Sequence, residues 1–188
     1  LLTRAGYNWF SVDYRLGGLS RYGESLADIR AAVSFVRCRA RELGIDGDRL
    51  VLLGEDSGAH LAALLASERP RGVIGTVLVG GLYNVTPAPG IATDANAAVL
   101  VVHGSADSEV PVAEAERYCT AIVHAGGRCR FLNVEGASHR SENWWPSQWA
   151  YKRELVAWLA SIAPVPPEPF RPYTTTTLVK DIVFSQSP

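Results

Sequence analysis

"LLGEDSGAHLA" (residues 52–62) decides how this chain is to be read. Apolar residues run up to Gly54, the polar corner Glu55-Asp56-Ser57 follows, and Gly58 opens a small apolar run interrupted only by His60. A β-prone run, a glycine-flanked polar corner and an Ala/Leu-rich run predict a strand, a tight turn and a helix in that order. The tip of the turn carries Asp56. Its carboxylate either reacts, replaces a group that did, or only turns the chain.

Upstream, residues 1–6 read as the end of a helix with a glycine stop, and 9–14 predict a strand. Residues 25–43 place Leu26, Ile29, Val33, Val36 and Ala40 at three- and four-residue spacing, an amphipathic helix closed by Gly44. Residues 49–53 predict the strand that enters the corner, and 59–67 the helix that leaves it. Downstream the alternation continues, with strands at 73–79, 99–103 and 130–134. Helices are predicted at 112–125, ended by Gly126-Gly127, and at 149–162. Strands apolar on both faces, alternating with helices, predict a mostly parallel sheet with helices on both faces, the α/β class.

This core takes up residues 1–163. From 164 the composition shifts to PVPPEPFRPYTTTTLVKDIVFSQSP, a Pro/Thr-rich arm or tail over 164–188. Its Leu178, Ile182, Val183 and Phe184 are apolar enough to pack on a neighbouring surface.

With 188 residues, 47% of them hydrophobic and 20% charged, the chain is long enough for one domain with a sizeable core. A net charge of −1 gives no electrostatic footprint for nucleic acid or an anionic membrane. No apolar run reaches the ~18 residues of a membrane span. The expectation is a soluble chain acting on small molecules, with the cytoplasm marginally favoured. Cys38, Cys119 and Cys129 match no metal-ligand spacing, so neither a metal nor an organic cofactor is implied. A Cys119–Cys129 bridge is conceivable, but the mid-helix position of Cys119 argues against it.

In open parallel sheets, functional groups collect beyond the carboxyl ends of strands. Those positions hold Asp13, the Glu55-Asp56-Ser57 corner, Tyr83 and Asn84, Asp107, and His139. A residue at a glycine-flanked elbow, then an acid, then a histidine is the chain order of the α/β-hydrolase triad. The surrounding stretches resemble that superfamily, in particular esterases and lipases of the carboxylesterase and hormone-sensitive lipase type. They are "FSVDYRL" at 10–16, "ADIRAAVSFVRCRARELGIDGDRLVLLGEDSGAHLA" at 27–62, "VLVVHGSADSEVP" at 99–111 and "EGASH" at 135–139. The resemblance covers roughly residues 1–162, and its most specific piece is HGxxDxxVP after an apolar strand.

The resemblance implies carboxylic-ester hydrolysis with Asp56, Asp107 and His139 at the three triad positions. Asp107 would orient the imidazole, and His139 would act as general base and then protonate the leaving group. Ser57 would offer its backbone N–H to an oxyanion, or serve as an alternative nucleophile one place along. Gly54 and Gly58 would leave room for the strand-to-helix crossing. Tyr83 and Trp144 are candidate substrate-binding residues, with Trp145 and Trp149 balanced between pocket lining and helix packing. His60 reads as helix packing, His103 as a strand cap, His124 as solvated at a helix end, and Asp13 with Arg15 as a structural network.

Aspartate stands where these esterases carry serine. A carboxylate attacking an ester carbonyl would form a mixed anhydride, more energetic than the ester it came from, whereas attack on saturated carbon is feasible. Dehalogenase- or epoxide-hydrolase-like chemistry on Asp56 is therefore an alternative, although those families usually follow the aspartate with tryptophan and this chain has Ser57. A catalytically silent hydrolase-fold binding protein is another, with Asp56 holding His139 protonated. "DSGAH" also echoes the elbow of kynurenine formamidases, which leaves amide substrates open.

The resembled esterases carry an earlier strand ending in His-Gly-Gly, which supplies the rest of the oxyanion hole and lies between the strands at 9–14 and 49–53. No such segment is present here, so N-terminal strands of the fold are expected to be missing from this chain. The chain also contains no methionine. The expectation is that an N-terminal fragment of the same precursor, or another chain, supplies the missing strands, because a gap would leave backbone groups unsatisfied.

Overall fold

A computed structural model describes residues 1–16, 21–85, 88–90, 97–141, 147 and 149–165. A 3-10 turn at Thr3–Ala5 opens the chain and stops at Gly6, whose left-handed φ of 86° ends it. Helices α1 (Tyr22–Cys38) and α2 (Ala40–Leu43) follow, breaking at Arg39 and closing at Gly44. Then come β1 (Leu50–Glu55), α3 (Ser57–Ser67), β2 (Val73–Val79) and β3 (Ala98–Gly104), and after them α4 (Val112–His124), β4 (Arg128–Val134) and α5 (Trp149–Ile162). From α1 onward the strand-helix alternation expected from apolar periodicity is present, with no bound shifted by more than three residues and the expected 25–43 helix broken in two at Arg39.

The strands form one sheet in the order β1-β2-β3-β4, and every pairing is parallel. β3 is buried along its whole length, as expected of a central strand covered on both faces. One face packs Val99 and Val101 against Ala59, Ala63, Ala115 and Ile122 of α3 and α4. The other packs Val77, Leu100 and Val102 against Leu155, Trp158 and Leu159 of α5. α1 lies outside α3, where Leu26 meets Leu61, Leu64 and Leu65.

Two expectations are corrected. The segment 9–14 is no strand. It runs without regular structure while Trp9, Phe10 and Val12 stand exposed. Its ends are anchored on opposite faces of the sheet. Tyr7 joins the cluster under α5, while Tyr14 joins the cluster under α1. A β-prone sequence becomes a strand only when a neighbour accepts its hydrogen bonds, and β1, the edge of the described sheet, does not pair with it. Second, Cys119 and Cys129 are disulfide-bonded, with Cα atoms 5.4 Å apart. α4 turns back through Gly126-Gly127 directly into β4, which brings its buried Cys119 face to face with the strand. The arm expected at 164–188 lies, from 166 on, outside the described residues.

Candidate active site

β1, β3 and β4 are parallel neighbours or near neighbours in one sheet, so the loops that follow them meet at one end of it. Asp56 follows β1, Asp107 follows β3 and His139 follows β4. The loops are stitched together. Asp56 N–H donates to Val79 O at 2.9 Å, Ala106 N–H to Ala137 O at 3.0 Å, and Gly136 N–H to Ser105 Oγ at 2.8 Å.

Asp56 sits at the tip of the corner with φ 51° and ψ −118°, a backbone region that costs a non-glycine residue on the order of 1–3 kcal/mol. The crossing that forces this geometry is tight, since a Cβ on Gly54 would run into the Gly58 carbonyl. Gly58 is not constrained in the same way. A Cβ there would meet only Tyr14 Oη, at an ordinary 3.7 Å.

His139 Nδ1–H donates to Asp107 Oδ2 at 2.9 Å, and the Nε2 of the same ring lies 3.5 Å from Asp56 Oδ1. The three residues expected at the triad positions are thus side by side in the expected sequence of contacts. Asp107 is buried and Asp56 is exposed, while the ring between them is nearly covered. The other Asp107 oxygen accepts the N–H groups of Glu109 and Val110 at 2.9 and 2.8 Å.

Burial works to raise the Asp107 pKa, but the hydrogen bonds from Val110, His139 and Glu109 together hold it below the ordinary carboxylate value. Burial likewise works against a charged His139. The Asp107 hydrogen bond and the charges of Asp107, Asp56 and Glu109 outweigh it, so the imidazole pKa is raised.

Ser57 opens α3, where the first backbone N–H groups of a helix have no intrahelical acceptor. The N–H groups of Ala59 and His60 turn back to Asp56 O, so those of Ser57 and Gly58 precede the first such bond.

Tyr83 is not in the site. It is buried against Tyr118, ring centroids 4.3 Å apart and nearly parallel, and that burial raises its pKa. Trp144 and Trp145 lie outside the described residues, and Trp149 is exposed with Lys152 Nζ over its ring. His60 packs in α3 and donates through Nδ1 to Leu82 O at 3.1 Å, its pKa lowered by burial. Arg15 forms a two-pronged pair with Asp28, a structural clamp on α1. Among the described residues no cluster of His, Cys, Asp and Glu could hold a metal ion.

Two residues near the site, expected only as a corner residue and a strand cap, make contacts that the sequence did not indicate. Glu55 accepts the N–H of Ser141 at 3.0 Å, tying the loop of His139 to the elbow. His103 places its Nε2 3.1 Å from Asp107 Oδ2. A histidine four residues before the acid, at the end of a buried strand, was the available signal.

Residues 1–76 match the BD-FAE family and residues 81–163 the Prolyl oligopeptidase family. Over 120 residues the chain is 30% identical to the "Putative carboxymethylenebutenolidase" of Methylorubrum extorquens, a match that covers 61% of this chain and 40% of that protein. The chain therefore spans well under half of this curated relative.

Among solved structures it superimposes on a truncated form of a carbohydrate esterase from gut microbiota. The TM-score is 0.74 at 19% identity, over 86% of this chain and 76% of the other. Apo esterase 2 of Thermogutta terrifontis gives 0.67 at 26% identity, over 83% and 72%. An acetyl ester-xyloside bifunctional hydrolase from Caldicellulosiruptor lactoaceticus gives 0.68 at 18%, over 81% and 71%. The parallel sheet, its helices and these likenesses establish the α/β-hydrolase fold. None of the described helices is long and apolar enough to cross a membrane.

Proposed function

Taking the α/β-hydrolase fold as premise, we propose that the chain is the core of an esterase-type hydrolase acting on a small-molecule carboxylic ester, with Asp56, His139 and Asp107 as its reacting centre. The observation that carries this reading is the imidazole of His139, held between Asp107 on one nitrogen and Asp56 on the other. The resemblance to proteins described as esterases supports the reaction class.

The two ends of the Asp56–His139 pair suit different halves of the reaction. A raised imidazole pKa favours a proton on His139 for the departing alkoxide, while the exposed Asp56 carboxylate can take a proton from water. The oxygen of that water bonds to the acyl carbon and the ester C–O bond breaks. The alkoxide leaves with the His139 proton. This route avoids the mixed anhydride that direct attack by Asp56 would form. Ser57 N–H, at the start of α3, supplies a donor for the oxyanion.

The same ion pair favours a second reading, a silent site in which Asp56 keeps His139 from acting and the fold only binds. Hydrolysis of short-chain aryl esters separates the two. Under the first reading the native chain is active, Asp56→Asn loses at least about a hundredfold in kcat, and Ser57→Ala stays active. An inert native chain with activity only in Asp56→Ser supports the silent site. Activity lost only in Ser57→Ala moves the nucleophile to Ser57.

The sheet edge belongs to this proposal. Among the described residues β1 pairs on one side only, and its Leu53 is 54% exposed. Beside it lies a cavity of about 310 Å3 lined by Leu2, Leu53, Glu55, Val79, Tyr151 and Leu155. An apolar strand from an N-terminal fragment of the same precursor, or from another chain, would pair with β1 and cover these residues.

A further inference from the structure

His103, the next-to-last residue of β3, is a completely buried imidazole outside the reacting centre proposed above. Its Nε2 lies 3.0 Å from Val110 O and 3.1 Å from Asp107 Oδ2. A carbonyl and an ionised carboxylate only accept hydrogen bonds, so Nε2 carries a hydrogen. Its Nδ1 is buried with no partner among the described residues. A hydrogen on Nδ1 would be a stranded donor in the core, so the ring is the Nε2–H tautomer.

The Nε2–H donates to Val110 O, and Asp107 Oδ2 stands beside the same nitrogen at ion-pair distance, outside the alignment of a hydrogen bond. Asp107 Oδ1 takes the backbone N–H groups of Glu109 and Val110, and Oδ2 accepts from His139 Nδ1. The terminal torsion of an aspartate is broad, so the plane of the carboxylate follows the turn that supplies the Oδ1 donors. By fastening Val110 O, His103 fixes the far end of that turn.

We propose that His103 is a positioning residue for the reaction: its Nε2–H fixes the turn through Val110 O, and with it the Glu109 and Val110 donors that set the plane of the Asp107 carboxylate, so that Oδ2 faces His139 Nδ1. The proposal rests on the reading of Asp107 and His139 as part of the reacting centre, but its primary test does not need activity. The charges that act on His139 are those of Asp107, Asp56 and Glu109, and none is altered by changing His103.

The test is nitrogen-15 NMR of the histidine rings in the full chain and in two variants. In the native chain His103 shows its hydrogen on Nε2. In His103→Phe, which keeps volume and removes the donor, the His139 titration midpoint falls toward the ordinary imidazole value. In His103→Gln, whose side-chain N–H can reach the Nε2 position, the raised midpoint is recovered. Ester hydrolysis follows the same order, with kcat at least about tenfold lower in His103→Phe, KM unchanged, and recovery in His103→Gln.

A hydrogen on Nδ1, or an unmoved His139 midpoint in folded His103→Phe, overturns the proposal. If His103→Phe does not fold, the native tautomer and the His103→Gln titration decide it, and a lost His139 shift in His103→Gln overturns it. An inert native chain with the expected NMR results overturns the hydrolase reading and leaves the role of His103 toward Asp107 standing.

Discussion

His139 Nε2 stands 3.5 Å from Asp56 Oδ1 while Nδ1 of the same ring is 2.9 Å from Asp107 Oδ2. An imidazole between two carboxylates has its charged form favoured from both sides, although the distance to Asp56 is that of an ion pair and not of a good hydrogen bond. Removing the charge nearer to solvent isolates its share. In Asp56→Asn the His139 pKa falls but stays above that of a free imidazole, because the Asp107 hydrogen bond remains. An NMR titration of His139 measures this, and an unchanged midpoint would show that Asp56 does not act on the ring.

The same arrangement makes stability depend on pH with a definite sign. The folded His139 pKa lies above its ordinary 6.5, so its stabilising contribution is complete below that value and is lost as pH rises through the raised one. The stability gap between the native chain and His139→Gln therefore narrows between about pH 6 and pH 8 in thermal unfolding curves. Asp107 acts in the opposite sense. Its folded pKa lies below the ordinary 3.8, so its contribution is present above 3.8 and disappears as pH falls through the lowered value. A gap that widens from pH 6 to pH 8 would contradict the direction of the His139 shift.

Where the sequence could be read and where it could not follows from the range of the forces involved. α4 and α5 carry their helical period in their own residues, and β2 its apolar run, so all three were legible locally. The elbow was legible because Gly54 and Asp56 announce a sharp turn within a few positions. Residues 9–14 have strand propensity but no partner to pair with, and propensity says nothing about partners. The Cys119–Cys129 bridge depends on how α4 folds back over β4. Tyr83 follows a strand as site residues do, but its ring finds Tyr118 and turns inward. His103 looked like a strand cap because its meeting with Asp107 is made by a turn of the chain and not by spacing alone.

The disulfide closes a short loop, with a sequence separation of 10. A cross-link around a loop of this length contributes about 2–3 kcal/mol, mainly by restricting the unfolded chain. Urea unfolding of the oxidised chain and of Cys119→Ser/Cys129→Ser should differ by that amount, and Cys38→Ser, which changes the exposed free thiol, should leave stability within about 0.5 kcal/mol. Equal stability of the oxidised chain and the double variant would mean that the bridge adds nothing to the fold.

The two glycines of the elbow should respond differently to the same substitution. In Gly54→Ala the new methyl group meets the Gly58 carbonyl and the Ala59 amide, backbone atoms that cannot swing aside. Either β1 and α3 separate or the corner at Asp56 opens, at a cost of about 1–3 kcal/mol or more. Opening the corner draws Asp56 away from His139, so the His139 titration midpoint should fall along with the melting temperature. Gly58→Ala puts a methyl group into ordinary contact with Tyr14 Oη inside a helix, where alanine is favoured over glycine by up to about 1 kcal/mol. It should melt at or above the native temperature and leave His139 unmoved. Equal loss in both variants would mean that the corner tolerates bulk at neither glycine, and that the approach of Gly54 to Gly58 is not what sets the elbow.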